Sequence, residues 1–396
     1  MDTQPLLPQS QNPTRCSGSG SEERHSEDKK QHSGSTSSQP LERGSDDRIV
    51  SRFGVPTGRL LLGCLALVLL ITILRPLAWE KFTHAKTPQC LDPYLQPGYI
   101  QRTDGTNQTS WHPYTNHNLL KSSSLSVSKP LEPPIPYSDL LLPPTRASDA
   151  RLNFARGQSI LMVGESLDRD NAKSFCDQHG NAETVDEMDP FISFACRLPD
   201  LDLNITQWFT YGMRPANSSW YQPGFPGPLA FEDRWEERFL PLLPLYGTPS
   251  LVVVASHYWD LRFIQEQWTR DHPGMIYHVS PEDLLWHRER VVELMALVRS
   301  TFPDAKIMWR LGTKWQDEAH AFFGDGNLGV YRINESMRAL MKHLNVPLFN
   351  WATLLEGEKD AYRDGLHFKD GQPGSLFASM IMYYLKKAVS GETTCS

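Results

Sequence analysis

The sequence predicts a three-layer α/β/α domain built on a parallel sheet, over residues 151–396, and three observations carry that expectation. Short, largely apolar runs, clearest at 159–163 and 251–255, alternate with stretches of helical periodicity. Strands with no polar face suit a sheet covered on both sides, which is the usual setting of parallel strands. The pattern also begins abruptly near Ser159, after a long Pro- and Ser-rich stretch.

In chain order, Ser-Ile-Leu-Met-Val over 159–163 is the first strand, and 167–178 forms the helix after it. Residues 205–211 read as a second strand, and the β-branched run over 251–255 as a fully buried one. Leu284, Leu285, Val291, Leu294 and Val298 give 282–299 an apolar helical stripe. A strand over 305–311, a helix over 330–344 and a last strand over 346–351 follow. The helix over 373–389 carries Pro373 in its first turn, where a missing N–H costs nothing. In such a sheet, chemistry is expected at the carboxyl ends of the strands.

The rest of the chain reads differently. Net charge is −7, with charges spread along the sequence, so nothing suggests a nucleic-acid-binding surface. Residues 1–58 are polar and almost free of aromatics, the composition of a disordered tail. Residues 60–74 are uncharged and apolar, bracketed by Arg59 and Arg75, with Trp79 beyond. They predict a transmembrane helix over 59–79, somewhat short of the ~20 residues a bilayer core requires. No folded domain precedes the run to bury it, and it starts too far from Met1 for a signal peptide.

Arg48, Arg52 and Arg59 before the span balance Arg75, Lys81 and Lys86 after it, so the positive-inside rule does not orient it. Glycosylation sequons at Asn107, Asn204, Asn217 and Asn334 all follow the span and favour a lumenal C-terminal part, a type II arrangement. Cys16 and Cys64 lie in the tail and the span, leaving Cys90, Cys176, Cys196 and Cys395, which allow three pairings. Cys176–Cys196 with Cys90–Cys395 is the favoured one. Residues 80–150, with prolines at 130, 133, 134, 136, 143 and 144, read as a stem partly draped on the domain through Trp111 and Tyr114.

Two motifs carry chemistry. Gly164-Glu165-Ser166 ends the first strand and runs straight into a helix, so Ser166 sits on a tight turn beside free backbone N–H groups. A capping serine alone would explain that motif. Asp364-Gly-Leu-His367 lies between the last strand and the last helix, at the same sheet edge. There Asp364 can hold imidazole Nδ1, leaving Nε2 to take the Ser166 proton. Trp259 and Asp260 are candidates to shape the substrate site, against a plain helix-start reading. Arg169 and Arg310 could hold an anion, or be solvated. No spacing reads as a metal site, and His257 and His287 are expected to be packed or exposed rather than ligands. No cofactor is called for.

An α/β-hydrolase places Gly-X-Ser-X-Gly in mid-domain with its acid well before the His. Here Gly164-Glu-Ser-Leu-Asp168 stands at the first strand, and the acid is three residues from the His. The chain thereby resembles the SGNH/GDSL superfamily and, within it, the PC-esterase and trichome-birefringence-like group of membrane-anchored glycan O-acetyltransferases. The resemblance covers roughly residues 90–390. It rests on Gly164-Glu165-Ser166, on Asp364-X-X-His367, on Ser256-His-Tyr-Trp-Asp260-Leu after the central strand, and on Cys90 with Gly98. It implies a flavodoxin-like strand order and an acyl-Ser enzyme acting on a glycan acceptor or an O-acylated glycan at the Golgi membrane, with the acyl donor open.

Two departures stand out. Glu165 replaces an Asp, and the usual Gly-X-Asn-Asp block reads Ala255-Ser256-His257, without its oxyanion Asn. Ser256, His257 or backbone would have to supply that donor, with Gly212 the candidate glycine of the second strand. The alternative function is a non-catalytic glycan-binding or scaffold protein on the same fold.

Overall fold

The computed structural model describes residues 92–103, 108–114, 133–143, 145–179, 183–186, 191–216, 227–318 and 325–392. The expected tail 1–58 and span 59–79, and Cys90, Cys395, Asn107 and Asn217, lie outside them. Among the described residues no helix is long and apolar enough to cross a membrane.

An antiparallel pair opens the chain, β1 (Gly98–Arg102) with β2 (Thr109–Pro113). The main sheet then takes β3 (Ser159–Gly164), followed by helix α1 (Ser166–Gln178). After it come β4 (Glu183–Asp186), β5 (Ser193–Leu198), β6 (Leu203–Phe209) and β7 (Leu251–Val254). Helices α2 (Tyr258–Asp271) and α3 (Pro281–Thr301), strand β8 (Lys306–Arg310), helix α4 (Gly326–Leu344), strand β9 (Leu348–Phe349) and helix α5 (Gln372–Ser390) complete the domain.

The seven strands run in the order β4-β5-β6-β3-β7-β8-β9. The five from β6 to β9 are parallel, and β3 is the first of them in sequence but second in space. That is the doubly wound order with its reversal beside β3. Every residue of β3 and of β7 is buried, as strands covered on both faces must be. Helix α1 and α5 pack together against β3, β5, β6 and β7, while α2 and α3 pack on α4.

Two expectations need correction. The sheet is not wholly parallel: β4 and β5 add an antiparallel edge, where polar and apolar residues mix and no clean run announces a strand. Helix α2 had no assigned range: a helix start at Asp260 stood only as the alternative to a substrate-site role, and the helix begins earlier, at Tyr258, with Asp260 in its first turn. Part of the stretch 80–150, expected to drape on the domain, lies against it. Tyr94, Trp111, Tyr137 and Leu141 belong to the same core as the sheet, and α5 packs on β2 and on the helical turn Tyr137–Leu140.

The pairing Cys176–Cys196 is present as a disulfide, tying the end of α1 to β5. Asn334 is a correction of a different kind. It lies buried on α4, where its Nδ2 donates to Gly312 O and its Oδ1 accepts from Gly312 N–H, both at 2.8 Å. A glycan on that nitrogen is incompatible with this packing. Asn204, on β6, is half-buried.

Candidate active site

The turn from β3 into α1 is built by Gly164, Asp168 and Arg310, which meet in space. Gly164 is required, because a Cβ there would meet Asp168 Oδ2 at 2.1 Å. Asp168, in the first turn of α1, reaches back so that its Oδ2 accepts the Glu165 N–H at 3.0 Å. Arg310, at the end of β8, donates to the same carboxylate through Nε at 2.6 Å and Nη2 at 2.7 Å. Both partners are fully buried. Burial lowers the Arg310 pKa, but the Asp168 charge outweighs it and leaves it raised. Arg310 is therefore neither solvated nor an anion site.

Glu165 forms a second strut. Its carboxylate accepts the N–H groups of His257, Tyr258 and Trp259 at 3.0, 3.1 and 3.0 Å, and so caps the start of α2. Burial, then the nearby Asp260 charge, raises its pKa to about 7 against the pull of those three amides.

On this turn Ser166 Oγ stands 2.8 Å from His367 Nε2. His367 Nδ1 faces Asp364, 3.0 Å from Oδ2 and 3.1 Å from Oδ1. Asp364 Oδ1 also accepts the N–H groups of Leu366 and His367 at 2.9 and 2.8 Å, folding the loop around its own carboxylate. Partial burial raises the Asp364 pKa, but these amides and the imidazole outweigh it and hold the group below its ordinary value. With Nδ1–H given to Asp364, Nε2 is free to accept the Ser166 hydroxyl proton.

The loop that presents His367 is fixed from both ends. The Arg363 N–H donates to His367 O at 2.7 Å, and Tyr362 bridges to Phe368, their rings 4.4 Å apart. The Gln316 N–H donates to Gly365 O at 2.9 Å, stitching the loop to the segment after β8. Ser166 and His367 open onto a cleft of about 610 Å³, walled by Tyr258, Trp259, Arg262, Trp315, Gln316, Arg363 and Leu366. Trp259 makes a T-shaped contact with Tyr211, and the Arg262 guanidinium lies over its ring, 5.3 Å from the ring centre.

The structure thus brings together Ser166, Asp364, His367 and Trp259. It separates others from the cleft. Ser256 is fully buried, and its hydroxyl donates to Asp260. His257 is fully buried, with both ring nitrogens unpartnered among the described residues. Burial, then Arg310 and His287, lowers its pKa. Neither side chain can meet an oxyanion at Ser166. Asp260 is internal too: its Oδ1 accepts the Met213 N–H at 2.5 Å, and its Oδ2 lies 3.2 Å from His287 Nε2. Gly212 turns with φ +75 against Asp260, where a Cβ would meet Oδ1 at 2.4 Å, and it does not line the cleft. Arg169 pairs with Asp170 and lies over Phe191 and Phe209.

Sequence reasoning passed over Trp315, Gln316, Arg262 and Arg363, which sit on segments that flank the motifs. Arg363 stands four residues before His367 and Asp170 four after Ser166, a spacing that could have drawn notice. Among the described residues no group of three or more His, Cys, Asp or Glu side chains could hold a metal ion.

Comparison with known proteins adds a weak likeness. No family model matches the chain, and no curated protein matches it. Among solved structures, it is similar to a GDSL-like lipase from Bacteroides thetaiotaomicron, at 13% identity over 59% of this chain and 89% of that one, TM-score 0.35. It is similar to a lipase/acylhydrolase from Enterococcus faecalis, at 12% identity over 58% and 95%, TM-score 0.34. An aryl esterase of M. smegmatis gives 12% identity over 58% and 99%, TM-score 0.35. Likeness at that level defines no family, and the site geometry stands on its own.

Proposed function

We propose that this chain is a serine acyl-ester enzyme of the SGNH kind that transfers or removes O-acetyl groups on glycans, from a type II anchor in the Golgi membrane. The observation that carries the reading is the row Ser166 Oγ, His367 Nε2, His367 Nδ1, Asp364, each step within hydrogen-bond reach and open to one cleft. Ser166 Oγ attacks the acyl carbonyl while Nε2 takes its proton. The tetrahedral intermediate expels the leaving alcohol, which receives that proton from His367. A sugar hydroxyl or water then attacks the acyl-Ser166 ester, with His367 as base, and the serine is restored. Asp364 keeps the tautomer and supports the imidazolium. The Ser166 N–H, in the first turn of α1, is placed to meet the oxyanion.

The tryptophan walls support a sugar substrate, since the C–H face of a pyranose packs on an aromatic ring, and polar Gln316 and Arg262 line the same cleft. The membrane anchor rests on residues 59–79, and the lumenal side on the sequons at Asn107, Asn204 and Asn217. One observation favours the alternative, a glycan-binding protein without turnover: Ser256 and His257 turn away from the cleft, so the block that replaces the oxyanion Asn supplies no side chain. The full chain, expressed in secretory membranes, is to be given an aryl acetate with and without a glycan acceptor. Ser166-dependent release of the phenol, with acetate reaching the glycan, supports the enzyme. Glycan binding without any Ser166-dependent release leaves the binding protein.

A further inference from the structure

We infer that the ion pair between Asp170 and Arg363 is a positioning clamp, which holds the His367 loop in register with the Ser166 helix and so governs turnover without binding substrate. The inference rests on the acyl-enzyme reading above for its kinetic consequence, but its geometry is independent of any substrate.

Ser166 and Asp170 are four residues apart on α1, hence one turn apart on one face of the helix. Arg363 and His367 are four apart on the facing loop. Two links join these segments: Ser166 Oγ to His367 Nε2 at 2.8 Å, and Asp170 Oδ2 to Arg363 Nη2 at 2.8 Å. The first is a single contact that must break and re-form in each turnover. The second is charge-assisted and persists throughout. Asp170 is held from its own side by Arg169, at 3.1 Å. Arg363 Nε lies 3.6 Å from Asp364 Oδ2, so the same guanidinium borders the acid that orients the imidazole. The Arg363 N–H further donates to His367 O, which makes Arg363 part of the loop's own turn. Asp170 does not line the cleft, whereas Arg363 does. That difference separates positioning from substrate binding.

The test uses the full chain as wild type, Asp170→Asn, Arg363→Gln and Arg363→Lys, with Ser166→Ala as the reference for background. Loss of the clamp lets the imidazole drift by a fraction of an ångström to about 1 Å, which lowers kcat by roughly 10- to 100-fold. KM stays unchanged in Asp170→Asn and Arg363→Gln alike, and Arg363→Lys, which keeps the charge, recovers most of the rate. Wild-type kcat falls as salt rises, because the pair is part-exposed, while the Asp170→Asn rate is insensitive to salt. Amide exchange over 363–367 quickens in both neutralised variants. A raised KM confined to Arg363→Gln would assign Arg363 to the substrate and overturn the clamp, as would full turnover with unchanged exchange in Asp170→Asn. If wild type shows no Ser166-dependent turnover, the enzyme reading fails alone: faster loop exchange in Asp170→Asn still supports the clamp, and unchanged exchange overturns it.

Discussion

Replacing Arg310 by Met strands a charge beneath the nucleophile turn. In the native protein Asp168 and Arg310 meet through two bonds, at 2.6 and 2.7 Å, with neither side chain exposed. Met fills much of the volume but leaves Asp168 with the Glu165 N–H as its remaining donor among the described contacts. Breaking one side of a buried pair costs about 3–5 kcal/mol. A domain stable by roughly 5–15 kcal/mol would lose a large part of its margin. The assay is urea unfolding of the fragment 86–396, one compact unit, followed by the emission of its tryptophans with the disulfide oxidised. The double variant Asp168→Asn with Arg310→Met should recover part of the loss, because no net charge is then buried. A loss below about 1 kcal/mol for Arg310→Met, or a double variant no better than the single, would refute the view that this pair holds the turn under charge.

Other outcomes follow from the same residues. Ser166→Ala should abolish Ser166-dependent ester cleavage, with a loss on the order of 10⁶-fold in kcat, and His367→Ala should match it because the two act as a unit; unequal effects in an active enzyme would point to another nucleophile. Glu165 has a folded pKa of about 7 against an ordinary 4.5, so the folded state holds its proton more tightly than the unfolded chain. Its contribution to stability is therefore full below pH 4.5 and declines as pH rises towards 7, by a total on the order of 3 kcal/mol; Glu165→Gln should lose that slope, and an unchanged slope would exclude Glu165 as its source. Asp364 acts in the opposite sense: its lowered pKa gives stability present above 3.8 and lost as pH falls further, a loss absent from Asp364→Asn. Replacing both Cys176 and Cys196 by Ser opens a loop closed by a 20-residue separation and should cost about 3 kcal/mol by urea titration.

The parallel part of the sheet was legible because burial on both faces leaves β7 wholly apolar and β3 with only Ser159, at its start, as a polar side chain. Strands β4 and β5 were not, since an edge strand keeps a polar side and its pairing is long-range. The Ser166 and Asp364–His367 motifs were legible as local chemistry at strand ends, and the fold brings them together. The cleft walls were not. Trp315 and Gln316 follow β8 on a loop whose place depends on contacts such as Gln316 N–H to Gly365 O, nearly fifty residues away. Nor could Asp168 and Arg310 be paired by reading, because 142 residues separate them and each alone looks like a surface charge.

The two departures noted in the sequence, a glutamate beside the serine and the absent asparagine, have one physical cause. The carboxylate at 165 spans from the end of β3 to three consecutive amides at the start of α2. No side chain caps that helix from its own N-cap position, His257, so the cap comes from the nucleophile turn instead. Those amides then point at Glu165 rather than into the cleft. Ser256, next to them, spends its hydroxyl on Asp260, which in turn holds the Met213 N–H. The segment after β7 is thus committed to bracing the turn that carries Ser166, and a donor for an oxyanion has to come from the turn itself. An aspartate at 165 would be one methylene too short to keep all three amides. Glu165 and the segment after β7 thus act together as the scaffold of the turn that carries Ser166.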